Sequence, residues 1–173
     1  MLAYVFSHRP ASGVHVEGYE DSLRKFHAAL ADAAPSGFIS SSTFKTGDMF
    51  SDWYMVESSA ALDVINDAAV SGARAPAHDA AARMAIDGVG KLLKLQAGDY
   101  FAGSGFEIRF AKPPRMGYAD LYARLQTWTG APEVSLWRRM MVLGPPPEFT
   151  IITPSKFEMP SEMRPEVVRR EPI

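Results

Sequence analysis

The chain has 173 residues, 47% hydrophobic and 22% charged, which accommodates one domain or two small fused ones. It contains no cysteine, which excludes disulfide frameworks, thiolate metal sites and cysteine nucleophiles, and fits a reducing, cytoplasmic compartment. The net charge is −2, with 8 basic and 11 acidic side chains over residues 1–98 and 10 and 9 over residues 99–173; neither half has the basic excess that a phosphate backbone demands, so no nucleic-acid partner is expected.

Residues 2–8 are apolar, aromatic and β-branched, which predicts a buried strand. Leu2, Tyr4, Phe6 and His8 share one face, and Ala3, Val5 and Ser7 the other. The segment is too short and lacks the basic flank of a signal peptide. No apolar run approaches the roughly 20 residues of a membrane span, so no membrane partner is expected. Arg9-Pro10 ends the strand and Ser12-Gly13 turns the chain. Tyr19, Leu23, Phe26, His27 and Leu30 then recur at helical spacing, with Glu20, Asp21, Arg24 and Lys25 opposite, predicting an amphipathic helix. Residues 38–46 and 52–57 form two strand candidates around Gly47-Asp48, a hairpin. Ser58 or Ser59 caps a second helix carried by Leu62, Val64, Ile65 and Ala69. Ser71 to Pro76 interrupts it, and a further helical stretch runs from about Ala77 to Asp87. Gly88 and Gly90 break that stretch, and residues 91–95 are short enough for a strand.

The order is βαββαβ over residues 1–98. Residues 99–153 repeat βαββ: a strand at 105–112, a helix with the stripe Tyr118, Leu121, Tyr122, Leu125 and Trp128, then strands at about 133–143 and 148–153. The second helix and fourth strand are missing from this repeat. Residues 154–173, Pro-rich and without periodicity, read as an extended C-terminal arm. The strands are apolar on both faces, so a βαββαβ sheet must bury the face its helices leave open, and a second sheet solves this. The open edge of the incomplete repeat calls for a cover, either homodimerisation or the arm.

This element order, with His8-Arg9-Pro10 after the first strand and Asp52-Trp53-Tyr54 in the third, resembles the dimeric α/β-barrel superfamily of ferredoxin-like proteins. An uncharacterised bacterial family within it is the suspected home. The resemblance covers residues 2–96 well and 105–153 in part. It implies an α+β fold in which a ferredoxin-like unit and a partial second one form an α/β-barrel-like pseudo-dimer. Some related barrels bind haem, which would engage a single His here, with no attachment motif.

Six residues are candidates for a site. In βαββαβ order the first and third strands are antiparallel neighbours, so the end of one lies beside the start of the other. His8 is then a candidate general base, Arg9 an anion clamp, and Asp52, Trp53 and Tyr54 meet them at one edge. Tyr54 is the second catalytic candidate; Arg9, Asp52 and Trp53 are substrate-binding ones. His78, at the start of an interrupted helix that could lie over a cavity, joins them. The bland alternatives are a strand-end His satisfied by backbone, an exposed Asp52–Arg9 pair and ordinary aromatic core. His27 reads as a boundary histidine. No two histidines stand four apart and none has a Glu at ligand spacing, so neither a metal nor a cofactor is expected. Arg138-Arg139 lies mid-strand, where one side chain must point inward as a candidate anion contact.

Three functions compete. One is a cofactor-free enzyme of the monooxygenase or isomerase kind, acting on a small, partly apolar organic molecule in an inter-sheet cavity. Another is a binder of such a ligand without a poised base. The third is a structural or interaction protein with a filled core. A pocket of roughly 300 Å³ or more beside His8 separates the first two from the third.

Overall fold

The computed structural model describes residues 1–173. The first half runs β1 (Leu2–Pro10), α1 (Val16–Asp32), β2 (Phe38–Thr46), β3 (Met49–Val56), α2 (Ala60–Ala69), α3 (Ala75–Ala82) and β4 (Ala85–Gly98). The second runs β5 (Gly105–Phe110), α4 (Tyr118–Thr129), β6 (Ser135–Arg139), β7 (Phe149–Thr153) and β8 (Glu166–Pro172). The class is α+β with antiparallel pairing throughout, and the strands close a barrel in the order β1-β3-β2-β8-β5-β7-β6-β4. Within each half the strand order is fourth, first, third, second. No helix is long and apolar enough to cross a membrane.

Strand periodicity sorts the side chains. Ala3, Val5, Phe44, Trp53, Met55, Leu93, Trp137 and Ile152 fill the barrel interior as one cluster. The opposite faces of β1 and β3 turn toward the helices, where Tyr19 and Leu23 of α1 and Ala81 of α3 pack on Phe50. Helix α2 places Ala61 and Ile65 on Leu2, Val56 and Leu92. In the second half, Leu121 and Leu125 of α4 pack on Ile108, Phe110, Leu136, Phe149 and Ile151. Strands β3, β5 and β7 are buried on both faces over most of their length, which is why they carry apolar residues on both sides.

The structure corrects three expectations. The stretch after Pro76 does not stay helical to Asp87: α3 ends at Ala82, and β4 begins at Ala85 and contains both glycines. Those glycines leave room for rings from β1. A Cβ at Gly88 would sit 2.5 Å from Cζ of Phe6, and one at Gly90 2.5 Å from the Tyr4 hydroxyl. The strand expected to about residue 143 stops at Arg139. Met141 and Val142 are exposed in the turn that follows.

The third correction concerns residues 154–173, expected to be an arm. Residues 166–172 form β8, the missing fourth strand. It pairs with β5 through Glu107↔Val168 and with β2 through Phe44↔Pro172, and so removes the open edges of both. The preceding coil covers the face where a second helix is lacking. Met163 is fully buried in the α4 cluster, with Phe157 and Met159 against it, and Phe157 stacks on Trp128 at 5.4 Å. Of the two covers considered, the tail supplies this one.

Candidate functional site

The β1–β3 register sets Tyr4 opposite Tyr54, Phe6 opposite Asp52 and His8 opposite Phe50. All six point toward the helices. A cavity of about 440 Å³ lies between this face and α1, α2 and α3, with His8, Asp52 and Tyr54 on its wall. Tyr4 and Phe6 form the apolar floor, Leu23 and Phe26 of α1 one side, and Leu62 and Ile65 of α2 another. Ala81 and Ala82 of α3 and Ala85 at the start of β4 line it with little bulk. The cavity therefore lies outside the barrel, between sheet and helices, and not in the inter-sheet space.

Asp52 organises the polar wall. It is 3% exposed, a burial tolerated for a carboxylate only when donors surround it. Thr43 donates to Oδ1 at 2.6 Å and Tyr54 to Oδ2 at 3.2 Å. His8 Nε2 lies 3.1 Å from Oδ2. His27 Nε2 approaches Oδ1 to 3.2 Å, off the line of a good hydrogen bond. Burial alone would raise the Asp52 carboxyl. The contacts with His27 and His8, and the charge these rings can carry, outweigh burial and hold the group well below the usual carboxylate range.

In the tautomer whose Nε2–H donates to the Asp52 carboxylate, Nδ1 of His8 is an acceptor. Tyr19 of α1 donates to that nitrogen at 2.5 Å. The result is a chain, Tyr19 hydroxyl to His8 to Asp52, with Tyr19 also on the cavity wall. Burial, and then the charge of Asp52, push the Tyr19 phenol up, so it keeps its proton at neutral pH. Tyr54 is raised for the same two reasons and by donating to Asp52. A parallel arm leads away from the cavity: His27 Nδ1 lies 2.6 Å from the Ser41 hydroxyl, and the His27 ring stacks on Tyr54 at 5.3 Å. Stacking also fixes His8, whose ring lies parallel to Phe50 at 6.0 Å.

Of the six candidates from sequence, four share this cavity: His8, Asp52, Tyr54 and His78. His78 stands at the helical side, its ring edge-on to Phe26 and Nδ1 3.1 Å from Asp79. Two do not. Arg9 turns away from His8 and pairs with Asp87 at 2.5 Å, both half exposed, because odd and even positions of β1 face opposite ways; the register shift beside it puts its extra residue in β4, where Asp87 lies. It is no anion clamp for this cavity, and the Asp52–Arg9 pair does not form. Trp53 follows the same rule into the barrel, where it packs edge-on to Trp137 at 5.6 Å and parallel to Tyr100 at 5.8 Å. Sequence reasoning did not single out Tyr19, Thr43 or Ser41, and set His27 aside. Tyr19 and His27 look like members of an apolar stripe, and only the packing of α1 on the sheet brings their polar atoms to His8 and Asp52.

His8 is not free to ligate a haem iron, since both its ring nitrogens are engaged, and the walls carry Asp52 and Asp63 with no Lys or Arg to meet propionates. No cluster of His, Asp or Glu has the arrangement of a metal site.

No protein-family model and no curated protein matches the chain. Among solved structures, the chain is similar to a chlorite dismutase-like protein at TM-score 0.60 and 9% sequence identity, over 99% of this chain and 94% of that one. At that identity the likeness concerns the fold. It supports the α+β barrel fold of this chain and no particular family.

Proposed function

We propose that the protein binds a small, neutral, largely apolar organic molecule in the cavity between α1, α2, α3 and the sheet, and moves a proton on it. The observation that carries this reading is Asp52, buried on the wall of a cavity and joined through His8 to the hydroxyl of Tyr19, another residue of that wall. A ligand proton passes to the Tyr19 oxygen as the Tyr19 proton passes to His8 Nδ1. The imidazolium that forms is stabilised by Asp52, and the ligand is left as an enolate or phenolate. Return of the proton to a different ligand atom completes an isomerisation with no oxidant. Acidic walls and the displaced Arg9 favour a neutral ligand over an anionic one. Tyr54 and His78 are assigned to ligand orientation. The reading includes the two-unit ferredoxin-like layout, suggested by the same strand order in both halves, and a homodimer, for which the exposed Met141, Val142 and Leu143 offer an apolar contact.

The second reading is a binder in which the same network only holds the wall together. Titration with 2-naphthol, a neutral aromatic with one ionisable hydroxyl, separates the two. The first reading expects saturable binding and growth of naphtholate absorption below the pH at which the free compound ionises. It also expects His8→Gln to abolish the naphtholate band. Binding with no bound naphtholate leaves the binder reading, and no binding to the wild type sinks both.

A further inference from the structure

A second chamber, of about 260 Å³, lies on the other side of β1, inside one end of the barrel. The same alternation that sends Tyr4, Phe6 and His8 to the helices sends Val5 and Ser7 to this chamber. Its walls carry Lys91 of β4, Glu107 and Arg109 of β5, and Thr150 of β7. Charged groups inside a barrel are costly unless matched. Arg109 Nε donates to Glu107 Oε1 at 2.8 Å, which pairs one cation with the one buried anion. Lys91 is left over. Its Nζ donates to the carbonyl of Pro147 at 2.7 Å, in the proline loop that borders the chamber. Burial, with the neighbouring Arg109 and Arg139, outweighs the opposing charges of Glu107 and the exposed Glu166 and holds the Lys91 ammonium down at about 8. Arg139 is the inward member of the Arg138-Arg139 pair. Its Nη1 donates to Gly144 O at 2.7 Å and its Nε has no partner, while Arg138 lies outside on the Tyr118 ring. Lys91, Arg109 and Glu107 together leave one positive charge facing the chamber.

One buried polar atom of the chamber wall also lacks a partner: Glu107 is 5% exposed and its Oε2 accepts nothing. A buried carboxylate oxygen without a donor is unfavourable, because it has given up water and gained nothing in return. An occupant that satisfies the chamber must bring a negative charge for Lys91 and a hydrogen-bond donor for Glu107. A monoanion matches the single excess charge, whereas a phosphate dianion would add repulsion with Glu107. We propose that the barrel-end chamber is a binding site for a small hydroxycarboxylate, with Lys91 and Arg109 on its carboxylate and Glu107 accepting from its hydroxyl. Val89, about half exposed beside the proline loop, marks the entrance.

The test uses L-lactate and propionate, which differ by that hydroxyl, titrated into the full chain at constant ionic strength while Tm is followed. Lactate should raise Tm saturably, with propionate about tenfold weaker because it leaves Glu107 without a donor. Glu107→Gln should narrow that difference, and Lys91→Met should weaken lactate by about tenfold or more. If Lys91→Met does not fold, Val89→Trp, which blocks the entrance without touching a charge, should abolish the lactate effect. A Tm rise matched by sodium chloride, or an equal response in wild type and Val89→Trp, would overturn the proposal.

Discussion

Replacing Asp52 by Asn probes the centre of the candidate site while keeping its shape. Four groups converge on the carboxylate: Thr43 and His27 on Oδ1, Tyr54 and His8 on Oδ2. Asn retains one acceptor oxygen and presents an NH₂ in place of the other, so two donors face a donor. Hydrogen bonds to a charged acceptor are worth about 1.5–3 kcal/mol each. Some of the loss is recovered if His8 moves its proton to Nδ1, accepts from the new amide and donates to the Tyr19 oxygen. The expected net loss at pH 7 is about 3 kcal/mol, a fall in Tm of about 6–12 °C for a chain of this length. The pH dependence gives a second, independent signature. Asp52 is depressed in the folded state, so the unfolded chain binds its proton first, and the stabilisation is present above about pH 4 and lost on acidification. Urea unfolding at pH 7, 5 and 3.5 should therefore show the difference between wild type and Asp52→Asn shrinking toward the acid end. A difference below about 0.5 kcal/mol at pH 7, or one that does not change with pH, would refute the idea of an ionised Asp52 held by its neighbours.

Arg9→Ala should shift stability by less than about 1 kcal/mol, since its pair with Asp87 is half exposed, and should leave 2-naphthol binding unchanged. Gly90→Ala should push the Tyr4 ring into the cavity and weaken naphthol binding, read by the same titration, because its Cβ would lie 2.5 Å from the Tyr4 hydroxyl. Val168→Pro removes a ladder donor in the strand that closes the barrel and should cost about 3 kcal/mol or more, measured by urea unfolding. Lys91 is lowered to about 8, so the unfolded chain binds more protons between that pH and its ordinary value near 10.5; wild-type stability should rise across this window relative to Lys91→Met.

Local patterning alone marked β1, α1, the hairpin of β2 and β3, α2 and α4, because each announces itself by apolar spacing and by a turn residue such as Gly47. It also brought His8 and Asp52 together, since βαββαβ order makes the first and third strands antiparallel neighbours. Three things were outside its reach. The tail's last strand carries polar residues such as Glu166 and Arg169, and it becomes a strand because β2 and β5 offer it unpaired edges. Gly88 and Gly90 look like helix breakers in isolation, yet their lack of a Cβ serves the rings of Phe6 and Tyr4 across the sheet. Alternation told that Trp53 and Tyr54 face opposite ways, but not which way is the cavity. That depends on where the helices pack, and only the closed barrel decides it. Closure directs Trp53 to the interior and leaves Tyr54, His8 and Asp52 under α1, where Tyr19 completes the chain of hydrogen bonds. Strand order is encoded in short-range pattern, whereas the meeting of His8, His27 and Thr43 on one carboxylate, with Tyr19 behind His8, depends on contacts between segments far apart in sequence, which no local spacing records.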